Sequence, residues 1–482
     1  MKKFTLSILL TLAFAPMAMA QDQQEAKVVN PRNTAEESQP ETNPLILERL
    51  DEWQDLKFGF MAHWGMYTQW GVVESWSICS EPWINRNGAN YMGYFLSYRN
   101  LNTTFNPTRF DAKRWAKAAG DAGMRYMIFT TKHHDGFCMF DSKYTNYTIA
   151  DKSCAYSKRS KHDPTKELVD AFRAKGMWTG LYFSKADWHH DDYWAPEWAT
   201  PDRNVNYDPV EYPERWNNFC EFTYNQIYEL THNYGYIDIL WLDAGWIRPQ
   251  WSINEEVRPW LGCHGYVQDI NMPRIARMAR ENNPNLLIVD RSVGGKYENY
   301  RTPEQQIPDT YLDYPWETCM TMGDSWSYVK DDNYKSTNTL IHTLVDVVAK
   351  GGNLLLNVGP DQYGAIPDTC LQRMREIGAW LKINGKAIYS TRACAPYVSN
   401  KWRFTQSKDL NTIYAIYLLD EGEAMPEVVT MPHLNRVPTG ASVVGGGSAK
   451  LNIESEHIQL YVHPSKKASH AVAIALTFDK KN

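Results

Sequence analysis

Residues 236–246 read Tyr-Ile-Asp-Ile-Leu-Trp-Leu-Asp-Ala-Gly-Trp, an apolar run that stops at the carboxylate of Asp243 and is followed at once by a glycine turn. Such a run predicts a short buried strand with Asp243 at its carboxyl end, the place where a parallel α/β barrel carries its chemistry. A period of two puts Ile237, Ile239, Trp241 and Asp243 on one face, with Asp238, Leu240 and Leu242 on the other. Asp243 is then the last residue on the barrel-facing side. A carboxylate there can serve as a nucleophile, or it can merely cap the following turn.

Three imidazoles end other apolar runs: His63 in Ala62-His63-Trp64-Gly65, and His133-His134 after Thr131-Lys132. A neutral imidazole both donates and accepts, which suits the hydroxyls of a sugar. Metal ligation competes with that reading, as does a buried structural role for one of the three. No metal is expected, because neighbouring histidines on a strand point to opposite faces and no His-x-His or His-Glu-x-x-His spacing occurs. If the bond to be broken is glycosidic, one carboxyl group must attack the sugar while another protonates the departing oxygen. Glu298, Glu304 and Glu317 follow Asp243 in the chain, and Glu304 lies just beyond a strand that ends at Arg291. Each could instead be a solvated loop glutamate.

The elements that position these residues repeat a unit: an amphipathic helix, a Gly or Asn-Pro break, then a short apolar strand. Strands are expected at 57–65, 126–134, 179–184, 236–243, 286–291 and 353–360, and helices at 168–175, 216–233, 273–281, 340–350 and 369–384. No Gly-x-Gly-x-x-Gly fingerprint follows the first strand, which favours a (β/α)8-type, TIM-like barrel over a doubly wound sheet. The barrel is expected over 45–388. From 389 to 482 the texture changes, and 412–419, 427–431, 441–445, 450–462 and 471–478 alternate like strands. A C-terminal antiparallel β-sandwich domain is the expectation.

Composition narrows the function. The net charge of −6 comes from well-mixed charges, so no nucleic acid partner and no anionic membrane surface is implied. With 19 Trp and 29 Tyr the chain is rich in amphipathic rings that suit sugar faces. Residues 1–20 have the form of a signal peptide: Lys2 and Lys3, an apolar core at 6–14, then Ala18-Met19-Ala20. A polar, flexible leader is expected over 21–44. No later apolar run reaches the roughly 20 residues of a membrane span, so the expectation is export, to the periplasm if the source is a bacterium. The eight cysteines show no Cys-x-x-Cys spacing, which argues against zinc.

Taken in order, Lys57-Phe58-Gly59-Phe60 with His63-Trp64-Gly65, then Thr131-Lys132-His133-His134-Asp135-Gly136-Phe137, then Leu240-Trp241-Leu242-Asp243, then Trp316-Glu317-Thr318-Cys319, resemble the α-L-fucosidases of glycoside hydrolase family 29. The resemblance runs from about 45 to 359. It implies an exo-acting retaining hydrolase that releases terminal α-L-fucosyl residues from glycans, needs no cofactor, and joins a barrel to a β-sandwich. It also implies roles: Asp243 as nucleophile and Glu304 as general acid/base, with Glu317 the rival. Sugar contacts carry over to His63, His133, His134, Tyr182 and Arg291, and to Trp326 as a packing aromatic. The segment from Glu74-Ser75-Trp76 to Glu81-Pro82-Trp83 resembles the family's Glu-Trp loop near the pocket, with a spacing that departs from it, and Glu81 and Trp83 carry over as sugar contacts from it. The reading from a different class is a carbohydrate-binding protein on a decayed hydrolase barrel.

Overall fold

A computed structural model of the chain describes residues 36–81, 84–86, 88–198, 202–261, 266–465 and 469–479. The expected signal peptide, most of the leader, Trp83 and Cys263 lie outside the described residues.

Seven parallel strands form one curled sheet: β1 (Phe58–Ala62), β2 (Tyr126–Lys132), β3 (Trp178–Ser184), β4 (Ile239–Asp243), β5 (Leu287–Asp290), β6 (Glu317–Thr321) and β7 (Asn353–Val358). Their order is β5-β4-β3-β2-β1-β7-β6. The six expected strands are all present, and β6 is the seventh. The space between β5 and β6 is taken by residues 298–305, an irregular eighth stave. Arg301 bridges Trp316 and Glu304 bridges Cys319, both in parallel sense, while Glu298 bridges Val289. The backbone bonds are ordinary ones: Glu317 N–H to Arg301 O at 2.8 Å, Gln305 N–H to Cys319 O at 3.0 Å and Asn299 N–H to Ile288 O at 2.9 Å.

Helices precede most strands: α1 (Pro44–Leu56), α2 (Tyr91–Arg99), α3 (Ala112–Asp121), α4 (Pro164–Arg173), α5 (Pro213–His232), α6 (Met272–Ala279), α7 (Thr337–Ala349) and α8 (Asp368–Asn384). In α4 the local causes are plain. Asp163 caps it by accepting from Lys166 N–H at 2.9 Å, Pro164 opens it, and Gly176 at φ +73° lets the chain turn into β3. Between β5 and β6 the described residues hold only the single 3-10 turn Gly295–Tyr297, so that part of the wall has no covering helix.

Both faces of the sheet are buried, which is why its strands read as continuous apolar runs. Met61, Ile128, Tyr182, Ile239, Trp241, Val289, Cys319 and Leu355 fill the lumen. Phe60, Phe129, Leu181, Leu240, Leu242, Ile288 and Leu356 face outward into the helix layer. Gly59 is demanded by the ring of Tyr126, since a Cβ there would lie 2.4 Å from it. The amino end of the barrel is plugged by α1, whose buried Trp53 stacks on Tyr300 with ring centroids 3.9 Å apart.

The C-terminal region holds β8 (Thr391–Ser399), β9 (Trp402–Ser407), β10 (Thr412–Leu418), β11 (Val428–Met431), β12 (Gly440–Val443), β13 (Gly447–Ile453), β14 (Ile458–Pro464) and β15 (Ala471–Thr477). They form antiparallel sheets of order β12-β15-β10-β9-β8 and β11-β14-β13 around a core that includes Trp402, Phe404, Leu460 and Ile474. The segment 450–462, expected as one strand, is a hairpin: β13 and β14 pair from Gly447↔Pro464 to Ile453↔Ile458, with a turn at 454–457. Trp380 Nε1 of α8 donates to Ala471 O at 2.9 Å, tying this region to the helix layer.

Trp53→Ala removes the plug without replacing its volume. Equilibrium urea unfolding should show a loss of about 3–5 kcal/mol. A loss under about 1 kcal/mol would mean that α1 does not close the barrel.

Candidate active site

At the carboxyl end of the barrel a cavity of about 340 Å³ opens between the strand tips, with Met61, His63, His133, His134, Tyr182 and Asp243 among its lining residues. Asp243 closes β4 and points into it, as the period of two predicts. Its Oδ2 accepts from Tyr182 Oη at 2.7 Å and its Oδ1 accepts from Arg291 Nη1 at 3.1 Å. Burial alone would raise the pKa of this carboxyl. The Arg291 charge, the nearby His134 and the Tyr182 hydroxyl more than reverse that and hold it well below the usual carboxylate range.

Arg291 leaves β5 and reaches the eighth stave as well: Nη2 donates to Glu304 Oε2, and Nε donates to Thr302 Oγ1 at 3.2 Å. A single guanidinium therefore grips both Asp243 and Glu304. The Glu304 side chain is 44% exposed, so this carboxyl stands at the mouth of the cavity while Asp243 stands inside it.

Glu317 is in a different place. It begins β6 at the amino end of the barrel, accepts from Tyr126 Oη at 2.6 Å and from Trp241 Nε1 at 3.2 Å, and does not line the cavity. Its burial pushes the carboxyl up to about 7. Glu298 also faces away: it accepts from Ser292 N–H at 2.8 Å and Gly294 N–H at 2.9 Å, securing the turn after Arg291.

The hydrogen bonds fix the imidazole tautomers. Asn357 Nδ2 donates to Trp326 O at 2.7 Å, so its Oδ1 is the acceptor from His63 Nδ1 at 2.8 Å. Ser184 Oγ donates to Ala186 O at 2.7 Å and accepts from His134 Nδ1 at 2.7 Å. His63 and His134 are thus protonated on Nδ1, leaving Nε2 as an acceptor. Burial lowers both to about 4 and His133 well below the ordinary value, so all three are neutral at pH 7.

The expectation that His133 and His134 point to opposite faces is corrected. The strand β2 ends at Lys132, alternation stops there, and both rings line the same cavity with centroids 4.2 Å apart. Potential ligand atoms of His133, His134 and Asp243 lie within 4.8 Å of one another, the one such group among the described residues. The oxygens of Asp243 are already engaged by Tyr182 and by a cation, so hydroxyl binding suits these imidazoles better than a metal does.

Trp326 packs on His63 at 4.9 Å and lines the cavity. Glu81 does not line it but receives both donors of an Arg203 fork, and Arg203 does line it. Glu74 and Trp76, at the start of the loop that the resemblance brings near the pocket, line the cavity, whereas Arg203 and Trp246 line it without having been expected from the sequence. Trp76 and Trp246 lie 5.3 Å and 5.1 Å from the His134 ring, and Arg203 sits over both indoles. Glu74 is buried, accepts from Ser327 N–H at 2.8 Å, and is pushed by burial up to about 7.

Residues 26–386 match the protein family described as "Alpha-L-fucosidase". The chain is 28% identical over 414 residues to the plasma alpha-L-fucosidase of Homo sapiens, covering 80% of each. Alpha-L-fucosidase isoenzyme 1 of Paenibacillus thiaminolyticus is similar in structure with a TM-score of 0.72 and 30% identity, over 90% of this chain and 100% of that one. A Bacteroides thetaiotaomicron GH29 alpha-L-fucosidase, solved as a trapped covalent intermediate, shares the fold with a TM-score of 0.70 and 24% identity, over 91% of this chain and 97% of that one.

The placement of Glu317 has a thermodynamic signature. Its folded pKa of about 7 lies above the ordinary 4.5, so the folded state holds a proton that the unfolded chain lacks. The stability this contributes is complete below the unfolded value and is lost as pH rises toward 7. Relative to the parent, Glu317→Gln should gain stability from pH 4.5 to pH 7 by up to roughly 3 kcal/mol, read by urea unfolding across that range. A difference independent of pH would place this carboxyl in water.

Proposed function

The chain belongs to the α-L-fucosidase family, family 29 of the glycoside hydrolases, and on that footing we propose that it is an exported exo-acting enzyme that hydrolyses terminal α-L-fucosides with retention. The observation that carries this reading is the Arg291 guanidinium holding the carboxylates of Asp243 and Glu304 at one cavity. Two carboxyl oxygens on one guanidinium suit the spacing of about 5–5.5 Å used by retaining enzymes, rather than the roughly 6.5–9.5 Å that leaves room for a water in inverting ones.

In the proposed reaction Asp243 attacks the anomeric carbon from inside the pocket. As the glycosidic bond breaks, Glu304 gives a proton to the departing oxygen at the mouth. A fucosyl ester of Asp243 results. Water entering where the leaving group was gives up a proton to Glu304 and attacks the ester, releasing fucose and restoring both carboxyls. A trapped covalent intermediate in a structurally similar family member supports this course. The acceptor nitrogens of His63 and His134 offer partners to sugar hydroxyls, Tyr182 and Arg291 orient the nucleophile, and Trp326, Trp76 and Trp246 provide apolar surface for the ring and its methyl group. No described helix is long and apolar enough to cross a membrane. Export, to the periplasm in a bacterium, rests on residues 1–20.

On an activated aryl α-L-fucoside, Asp243→Gly should lower kcat by about 10³-fold or more. Glu304→Ala should form the fucosyl-enzyme readily but turn it over slowly, and added azide should restore turnover and give a fucosyl azide with the anomeric configuration of the substrate. Azide rescue of Glu317→Ala instead would exchange the roles of the two glutamates. Absence of any fucoside cleavage by the parent enzyme would favour the decayed, binding-only reading.

A further inference from the structure

Beside the catalytic cavity lies a second hollow of about 580 Å³, within the size range of about 300–1,000 Å³ typical of small-molecule sites. It exists because no helix covers the wall between β5 and β6 among the described residues. Ser292 lines both hollows and forms their common rim. Pro303 and Gln306, close neighbours of Glu304 in the chain, line the second one. Gln305 adopts φ +54°, and after this turn the stave leaves the barrel and Gln306 is exposed on the groove.

We infer that this groove receives the glycan to which the fucosyl residue is attached, a leaving group at least one hexose long. The inference rests on the fucosidase reading above and on the position of Glu304. A group whose glycosidic oxygen takes a proton from that carboxyl stands at the mouth of the first cavity, whose rim the groove shares at Ser292, and Pro303 and Gln306 of the groove flank Glu304 in the chain. The lining has the chemistry of a pyranoside: exposed polar side chains at Ser292, Asn254 and Gln306 for hydroxyls, and the ring of Tyr314 for an apolar sugar face. Tyr314 is 36% exposed and is held by Arg301, whose guanidinium lies 4.1 Å from the ring centroid. The charged interior of the groove is already matched, since Glu298 faces the turn amides of Ser292 and Gly294.

Contacts to a sugar that does not react stabilise ground and transition states alike, so their loss is read mainly in KM. The test compares Tyr314→Ala and Gln306→Ala with the parent on 4-nitrophenyl α-L-fucoside and on a set of fucosylated trisaccharides of different linkage. For the best-cleaved trisaccharide, kcat/KM should fall by roughly tenfold or more through KM, while the aryl fucoside changes by less than about twofold, which also reports that the variants fold. Tyr314→Phe should keep trisaccharide cleavage. Parallel losses on both substrates, no loss on either, or a parent enzyme that cleaves the aryl fucoside and none of the trisaccharides would each overturn the assignment. A parent inactive on every fucoside would instead remove the fucosidase reading beneath it.

Discussion

The guanidinium of Arg291 is the interaction on which the pocket depends. Two carboxylates facing one small cavity repel each other, and a buried carboxyl without a cation takes up a proton. Asp243 escapes this because Nη1 of Arg291 meets one oxygen while the Tyr182 hydroxyl meets the other. Removing the arginine would leave a buried anion with one neutral donor, and would also free Glu304. The arginine is itself constrained three ways: by the end of β5, by Thr302 on the eighth stave, and by the face of Trp241 at 5.1 Å. The following turn, with Ser292 at φ +63°, is fixed by the two amide hydrogens that Glu298 accepts.

Below this, the barrel supplies a rigid column. Glu317 and Tyr126 form a hydrogen-bonded pair at the amino end, Trp241 donates down to Glu317, Tyr182 stacks on Trp241 with centroids 5.3 Å apart, and Tyr182 donates up to Asp243. A carboxyl that the sequence offered as a candidate catalytic group is thereby the foot of the support for Asp243. Its raised pKa suits that task, because a neutral acid costs far less to bury than an anion. High pKa in a barrel interior marks desolvation, and only position relative to the cavity separates a working acid from a structural one.

How much of this could be read from residues alone depends on periodicity. The strand positions and the inward face of Ile239, Trp241 and Asp243 were legible, because both sheet faces bury side chains and leave an unbroken apolar run. The stave 298–305 was not, since it carries Pro303 and several polar residues and is held by isolated bridges. Hence Glu304 could be set just beyond the strand that ends at Arg291 but not told apart from Glu298 and Glu317, and its role came by resemblance. Strand alternation misled at His133 and His134 because it was carried two residues past the end of β2. Arg203 gave no signal at all: it sits far from any strand end and is brought to the cavity by Glu81 from a loop more than a hundred residues away.

The tautomers bear on what the pocket can select. His63 and His134 spend their ring protons on Asn357 and Ser184, so toward the cavity they can only accept. If they bind a sugar as proposed, each calls for a hydroxyl that donates. A sugar lacking such a hydroxyl leaves a desolvated lone pair unmatched, a penalty of the kind that gives roughly 10⁴-fold rejection, whereas an apolar surface facing a methyl group discriminates by only about 1–3 kcal/mol. On the proposed reading, selectivity for the hydroxyl pattern rests on the barrel rim, and it persists near neutral pH because burial keeps both rings uncharged down to about 4. Protonation below that value would turn each acceptor into a donor, reversing the pattern the site reads before the fold itself need fail.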